Sequence, residues 1–274
     1  MKKSIIPLLF TLIATTSFAQ SYNQYDIEKS VQAGEKVIVE NQLDKHEMLR
    51  IIRLNPSLVT VAATKFDKFD TKAFIRAGAR VIIGNQFDAL DTKDIIRENP
   101  SLVTVAASKF DKLNTKAFVR EGGRVIIGNQ FDAFDVKSII HENPSLVTVA
   151  GTKFSSFETK AFLREGGRVI VGNQFSSFEV NGIIRENPSM VTVIATKFNS
   201  FDTKSFVRTG GKVIIGSQFD AFDAKHIIRE NPSLVTVLTA KFDEFETKAF
   251  IRMGAKVIVG CQSDEAFLQK IILY

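Results

Sequence analysis

Acidic residues recur in a motif that could bind calcium. The motif reads Phe-Asp-x-x-Asp and supplies Asp67 with Asp70 in one copy. Calcium takes six to eight oxygen ligands, several of them carboxylates. In a middle unit the first acid becomes Ser155, while the second survives as Glu158. The surviving acid stands where a helix begins, so we predict helix capping there, with no metal site and no cofactor.

Other residues suited to catalysis are scarce. The chain has three histidines, His46, His141 and His226, and one cysteine, Cys261. No Ser/His/Asp or Cys/His arrangement follows from their positions, and no pair of carboxylates stands out from the repeated background. We therefore predict a protein that is not an enzyme. Cys261 is interpreted as a small buried residue, with no internal disulfide.

Basic residues form two regular rows, spaced 44 residues apart along the chain. One row is Arg80, Arg124, Arg168, Lys212 and Lys256, and the other is Lys65, Lys109, Lys153, Lys197 and Lys241. Such rows could meet an anionic polymer, for example a cell-envelope polysaccharide, or could be solvated surface neutralised by neighbouring acids. The net charge of +6 is mild and both signs are mixed in every unit, which disfavours nucleic-acid binding.

These residues are carried by one copied unit. Pro56, Pro100, Pro144, Pro188 and Pro232 recur at a fixed step of 44 residues, and valines from Val37 to Val257 recur every 22 residues. The 44-residue unit is thus two half-repeats. A period of this length is typical of stacked repeat architectures.

Each half-repeat predicts one strand and one short helix. Val59-Thr60-Val61 and Val81-Ile82-Ile83 are β-branched runs, and Asp70 and Asp91 are predicted N-caps of the segments that follow. Gly78 ends one type of helix because glycine can adopt the left-handed conformation. Asn99-Pro100 ends the other type because proline cannot donate the next backbone hydrogen bond. Helices of about two turns must be stabilised by packing on neighbouring units.

Units of this kind must place their strands in parallel, since each helix returns the chain to the same edge. Alternation directs Val59, Val61 and Phe66 toward the helix residues Phe74 and Ile75, and directs Thr60, Ala62, Ile82 and Gly84 outward. We expect a secretory leader over residues 1–19, a helical cap over 20–36, a β/α repeat array over 37–262 and a second helical cap over 263–274.

The half-repeat resembles the leucine-rich repeat family, whose pattern is L-x-x-L-x-L-x-x-N/C-x-L. Val59, Val61, Thr64 and Phe66 match its second part. In alternate units the Asn column of the pattern reads Asn41, Asn85, Asn129, Asn173, Ser217 and Cys261. Val, Ile and Phe replace most leucines, and the leading Leu is missing. The resemblance implies an α/β fold, a right-handed parallel β/α solenoid of about eleven strands with short helices on the other face, and no enzymatic activity.

The outward strand face is the predicted binding site, because its apolar strip is unusually free of charge. Its residues are Thr60, Ile82, Thr104, Ile126, Thr148, Ile170, Thr192, Ile214, Thr236 and Ile258, with Arg80, Arg124, Arg168 and Lys212 beside them. The predicted function is a non-catalytic scaffold that binds a protein partner. The alternative is a surface or structural adhesin that binds polysaccharide or associates with itself.

The start of the chain predicts export. Lys2 and Lys3 precede an apolar run, and small residues stand before a cleavage point at Gln20, as in a secretory signal peptide. No stretch approaches the roughly 20 apolar residues of a membrane span. We expect a secreted or periplasmic protein.

Overall fold

Each half-repeat folds as one strand followed by one helix. This is seen in a computed structural model, which describes residues 24–39, 43–239 and 242–259. The strands are β1 Lys36–Val39, β2 Val59–Ala62, β3 Arg80–Ile83, β4 Val103–Ala106, β5 Arg124–Ile127, β6 Val147–Val149, β7 Arg168–Val171, β8 Val191–Ile194, β9 Lys212–Ile215, β10 Val235–Leu238 and β11 Lys256–Val259.

A helix precedes the first strand, and one helix follows each of β1 to β10. The helices are α1 Gln24–Gln32, α2 Lys45–Leu54, α3 Lys68–Arg76, α4 Ala89–Glu98, α5 Lys112–Arg120, α6 Ala133–Ile140, α7 Ser156–Arg164, α8 Ser177–Ile184, α9 Ser200–Arg208, α10 Ala221–Glu230 and α11 Glu244–Arg252. A short 3₁₀ turn that begins at the repeated proline, for example Pro100–Leu102, leads into each even-numbered strand.

The two predicted helix stops are confirmed. Gly78 and Gly122 adopt positive φ values of 92° and 88° after α3 and α5. An added Cβ at Gly122 would also meet the Cβ of Pro100 at 3.0 Å, so both conformation and close approach require glycine. Helix α4 ends at Glu98, directly before Asn99 and Pro100.

The predicted open solenoid is wrong, because the eleven parallel strands close into a barrel. Each strand pairs with its neighbours in chain order, and β1 pairs in parallel with β11, with Lys36 opposite Ile258. The architecture is that of a TIM barrel, parallel strands inside and helices outside, with eleven strands in place of eight. The leucine-rich repeat resemblance is corrected with it, since that family forms open arcs.

The register explains the closure. Where an odd-numbered strand pairs with the next even-numbered one, the paired residues are 22 positions apart in the sequence, as for Ile38 and Thr60. Where an even-numbered strand pairs with the next odd-numbered one, they are only 20 positions apart, as for Thr60 and Arg80. The same two-residue slip recurs at each later pairing of an even strand with the next odd one. Accumulated slip tilts the strands about a common axis, which is what barrel closure requires.

The sheet has two apolar faces. Val125 and Ile127 of β5 lie with Phe118 and other helix residues in the main core. Ile170, Ile214 and other alternate strand residues form a second cluster that contains no helix residue. Because the helices surround the barrel, this second cluster faces its lumen. The predicted alternation is therefore confirmed, but the face expected to be exposed is enclosed.

The helix caps lie three residues earlier than predicted. The side chain of Asp67 accepts a hydrogen bond from the backbone N–H of Asp70, at 2.8 Å, so Asp67 is the N-cap of α3. Ser155 and Asn199 cap α7 and α9 in the same way. Asp, Ser and Asn are all good N-caps, which explains why the first acid of the motif varies.

One column of large apolar residues lies outside the core. The second residue of ten helices is 71–84% exposed, and we call this set the crown. The crown consists of Tyr25, Phe69, Leu90, Leu113, Phe134, Phe157, Phe178, Phe201, Phe222 and Phe245. The other phenylalanines of the described ranges are buried, and Phe110 and Phe118 pack edge to face with ring centroids 4.8 Å apart.

Three predicted segments lie partly or wholly outside the described residues. These are the leader over 1–19, the start of the first cap over 20–36 and the second cap over 263–274. The described part of the first cap contains α1, which directly precedes β1. Within the described ranges no helix is long and apolar enough to cross a membrane.

Candidate functional site

Six cations surround the lumen at the end of the barrel where the strands begin. Each is the first residue of an odd-numbered strand. We call them the cation ring: Lys36, Arg80, Arg124, Arg168, Lys212 and Lys256. Lys212 shares its side of β9 with the lumen residue Ile214, two positions on. Neighbouring members on alternate strands are roughly 10 Å apart, two strand spacings.

The members of the cation ring repel one another electrostatically. Burial lowers the pKa of Lys212, and the nearby charges of Lys256 and Arg168 lower this pKa further. Burial, Arg80 and Lys256 likewise lower the pKa of Lys36. None of the described strands contains Asp or Glu. Like charges held together in this way favour a bound anion.

A layer of hydroxyl and apolar groups lies directly against the ring. Thr104 pairs with Ile82 on one side and with Arg124 on the other, and Thr148 lies in the same way between Ile126 and Arg168. Each predicted site residue therefore lies on the lumen wall, in a closed ring. They are Thr60, Ile82, Thr104, Ile126, Thr148, Ile170, Thr192, Ile214, Thr236, Ile258, Arg80, Arg124, Arg168 and Lys212.

The lumen wall is packed less tightly than the helix side of the sheet. Ile126 keeps 7% of its surface exposed, whereas its neighbour Ile127 on the helix side is fully buried. The same contrast holds for Ile170 at 6% and Val171 at 0%. Eight strands enclose a space just wide enough for side chains to fill, and the diameter grows with strand number. Eleven strands thus form a wider barrel than eight.

At the opposite mouth, where the strands end, hydrogen bonds join the segments that follow neighbouring strands. Asn129 Nδ2 donates to Thr152 Oγ1 at 2.8 Å, and Ser108 Oγ donates to Asn85 Oδ1 at 3.1 Å. Lys109 Nζ donates to the backbone carbonyl of Asn85 at 2.5 Å. Lys65, Lys109, Lys153 and Lys197 of the second basic row lie at this mouth, and backbone oxygens accept hydrogen bonds from Lys109 and Lys197. Lys241 lies outside the described residues.

The other chemically suggestive residues are used in structure. His141 Nε2 lies 2.6 Å from Glu165 Oε2 on the outer surface, where other repeats place an arginine against a glutamate, as in Arg97 with Glu121. No group of three or more His, Cys, Asp or Glu that could hold a metal occurs within the described ranges. Cys261 lies outside those ranges.

The sequence did not reveal that the basic row becomes a ring. Lys36 was placed in a cap, although it stands 44 residues before Arg80, in the same column. That periodic match was the available signal. Closure places Lys36 and Lys256 on the neighbouring strands β1 and β11. Both strands carry odd numbers because the barrel has eleven strands, so two cation-bearing strands are adjacent at this seam.

No protein-family model matches the sequence. No curated protein matches it either. Among solved structures, the chain is similar to one described as a lyase/mutase from Burkholderia cenocepacia J2315, with 10% identity, a TM-score of 0.38, and coverage of 84% of this chain and 95% of that one. It is similar to one described as a dihydrodipicolinate synthase family protein from Coccidioides immitis, with 13% identity, a TM-score of 0.38 and 72% coverage of both chains.

A third similar structure is described as a mandelate racemase/muconate lactonizing enzyme from Labrenzia alexandrii DFL-11. Identity is 9%, the TM-score is 0.35, and the match covers 56% of this chain and 52% of that chain, about half its length. With TM-scores below 0.5, these matches carry no inference about activity. The fold assignment rests on the strand pairing itself.

The predicted function is corrected by these findings. A non-catalytic scaffold or adhesin that binds through an exposed strand face is wrong, because that face is the wall of a closed lumen. The prediction that the chain is not an enzyme is corrected too. It rested on the scarcity of His and Cys and on the leucine-rich repeat resemblance, and the closed barrel overturns that resemblance.

Proposed function

We propose that the barrel takes up a multiply charged anionic substrate at the cation ring. The observation that carries this proposal is the convergence of six cations at one mouth of the lumen, on described strands that contain no Asp or Glu. A ring of charges roughly 10 Å apart suits a ligand with several separated anionic groups better than a single small anion. Arg168 Nη1 donates to the backbone carbonyl of Ser145 at 3.0 Å. Because a guanidinium has five N–H donors, Arg124 and Arg168 can also hold phosphate or carboxylate oxygens, and the adjacent threonines can donate hydroxyl hydrogens.

Calorimetric titration with inorganic tripolyphosphate tests the proposal. The variant carries Arg124→Gln and Arg168→Gln. The matched control carries Arg120→Gln and Arg164→Gln, which remove the same charges from the outer surface. We expect about a hundredfold weaker binding in the ring variant, since each charge-assisted hydrogen bond contributes about 1.5–3 kcal/mol. Equal affinity in the two variants would contradict the proposal.

A second candidate function is amine catalysis by a lysine of the ring. The lowered pKa of Lys36 and Lys212 makes the unprotonated amine more available than in an exposed lysine. Neighbouring cations and burial are known means of activating such an amine. The neutral amine would attack the carbonyl carbon of an anionic aldehyde or ketone. Its two N–H protons would pass to the carbonyl oxygen, which leaves as water, so that a C=N double bond replaces the C=O bond.

Reductive trapping tests this chemistry. The probe is pyridoxal 5′-phosphate, an aldehyde that carries a phosphate, and borohydride reduces any imine to a stable amine for peptide mapping. We expect labelling of Lys36 and Lys212 above the outer-surface Lys225. Lys212→Arg should remove the label at that position and keep tripolyphosphate binding, because arginine occupies the same position in β3, β5 and β7. Uniform labelling of all lysines would exclude the amine role.

Export stays part of the proposal, supported by the leader-like sequence before Gln20. A secreted or periplasmic location would give the barrel access to anionic envelope components or nutrients. N-terminal sequencing of the processed protein tests it: a mature chain that begins at Gln20 is the expected result, and an unprocessed Met1 in the producing cell would contradict it.

A further inference from the structure

The crown has no role in the core. Phe134 is 77% exposed, whereas Phe118 and its equivalents are fully buried. The position does not need an apolar side chain for folding, since α2 has the exposed His46 there. A circle of exposed aromatic and leucine side chains, interrupted only at α2 within the described residues, is a much larger apolar surface than isolated exposed residues provide, and such surfaces mark interaction sites.

The charges around the crown narrow the choice of partner. The N-caps Asp67, Asp88, Asp111 and Asp132 are exposed and stand two residues before a crown side chain. The lysines of the second basic row lie at the same end, but the acids at the N-cap and third positions of the helices outnumber them. An anionic lipid surface would be repelled by these carboxylates. Two crowns facing each other would place carboxylate against carboxylate. A partner for the crown should therefore present cations.

The opposite end of the same barrel presents them. Exposed arginines stand at or next to the last residue of many helices, and we call them the arginine rim: Arg76, Arg97, Arg120, Arg164, Arg208 and Arg229 are examples. The edge of the Arg120 guanidinium is paired with Glu142 through two hydrogen bonds of 2.7 and 2.8 Å. Its side chain is still 62% exposed, so the guanidinium can stack on an aromatic ring.

We propose that the crown of one barrel docks on the arginine rim of a second copy, head to tail. One helix after another supplies a crown residue at one end and an arginine at the other, so a contact made once recurs around the circle. Each large aromatic can bury about 150–250 Å². Ten crown side chains thus approach on the order of 1,500 Å², the size of a stable interface. A head-to-tail contact leaves both outer ends open and yields stacks.

Sedimentation velocity over a range of protein concentrations tests the proposal. The crown variant carries Phe134→Ser, Phe157→Ser and Phe178→Ser, and the rim variant carries Arg120→Ser, Arg164→Ser and Arg208→Ser. We expect the wild type to form concentration-dependent stacks and each variant to be impaired in stacking. Because the altered side chains are exposed, both variants should keep the circular dichroism spectrum of the wild type.

Mixing the two variants distinguishes head-to-tail docking from other contacts. The crown variant keeps its rim and the rim variant keeps its crown, so an equimolar mixture should form heterodimers through one intact interface and grow less than the wild type. A wild type that stays monomeric at about 100 μM would overturn the proposal. A rim variant that stacks normally would overturn it too. The proposal would also fail if the crown variant stacked like the wild type but lost the ability to float with vesicles of phosphatidylcholine and phosphatidylglycerol.

Discussion

Phenylalanine has two opposite roles in this chain, set by its position in the repeat. Phe118 is fully buried and packs edge to face on Phe110. Phe134 lies in the crown at 77% exposure. The sequence pattern identified the buried columns because they coincide with the helix period. It did not identify the crown, since a phenylalanine at the second helix position looks the same in a sequence whether it is covered or not.

The two roles predict different costs of truncation. Phe118→Ala should lower the free energy of unfolding by about 3–5 kcal/mol, because it leaves a cavity in a packed core. Phe134→Ala should change it by no more than about 0.5 kcal/mol. Urea unfolding of both variants at low protein concentration, where association does not contribute, makes the comparison. Equal losses would show that the crown is part of the core.

The lysines of the cation ring predict a pH dependence of anion binding. Burial, Lys256 and Arg168 lower the pKa of Lys212, and only the protonated amine attracts an anion. Affinity for tripolyphosphate should therefore fall as the pH rises toward the ordinary lysine value of 10.5, earlier than for an exposed lysine. Lys212→Arg should bind with less pH dependence because arginine keeps its charge. Parallel pH profiles would contradict this role of Lys212.

At the scale of the element, the half-repeat was predicted well because its signals are local. β-Branched runs gave the strands, and Gly78 and Asn99-Pro100 gave the helix ends. The helix starts were placed three residues late. Asp67 and Asp70 are both acidic and either could cap, so residue type alone did not decide between them. Hydrogen bonding from the N–H of Asp70 to Asp67 decides for the earlier position.

Helix α5 offers a direct test of the cap position. Asp111 accepts from the N–H of Asn114 at 2.8 Å, so Asp111→Ala should cost about 1 kcal/mol of stability. Asn114→Ala changes the position at which the predicted cap would lie and should cost clearly less. Thermal unfolding of the two variants compares them. A larger loss for Asn114→Ala would place the helix start where the sequence pattern had it.

At the scale of the molecule, closure was outside the reach of the pattern. The same alternation of Val125, Ile126 and Ile127 serves an open sheet and a closed one, since the helix side is identical in both. The difference lies in the two-residue slip between Thr60 and Arg80 and its repeats, a relation between strands that composition does not encode. The row of Ile82, Ile126 and Ile170 was a partial signal, because an apolar strip without charge is unusual on a solvent-facing sheet.

Closure of the barrel also changes the electrostatic environment of the basic row at the strand starts. In an open array Arg80, Arg124 and Arg168 would lie along a solvated face, where salt screens them. In the barrel they converge on an enclosed space, and like charges and burial shift the pKa of the lysines among them. The anion site, the amine chemistry and the head-to-tail stack all depend on the contact between β1 and β11.

A disulfide across the seam measures that contact directly. Lys36→Cys and Ile258→Cys, made with Cys261→Ser, place two thiols on residues that are paired across β1 and β11. We predict an intramolecular disulfide under mild oxidation, detected by peptide mass mapping, because paired strands have the Cα separation that a disulfide requires. The control pair Lys36→Cys and Ile126→Cys, on β1 and β5, should stay reduced. In an open stack the first and last strands would be about 48 Å apart, so the absence of an intramolecular 36–258 disulfide would contradict the closed barrel.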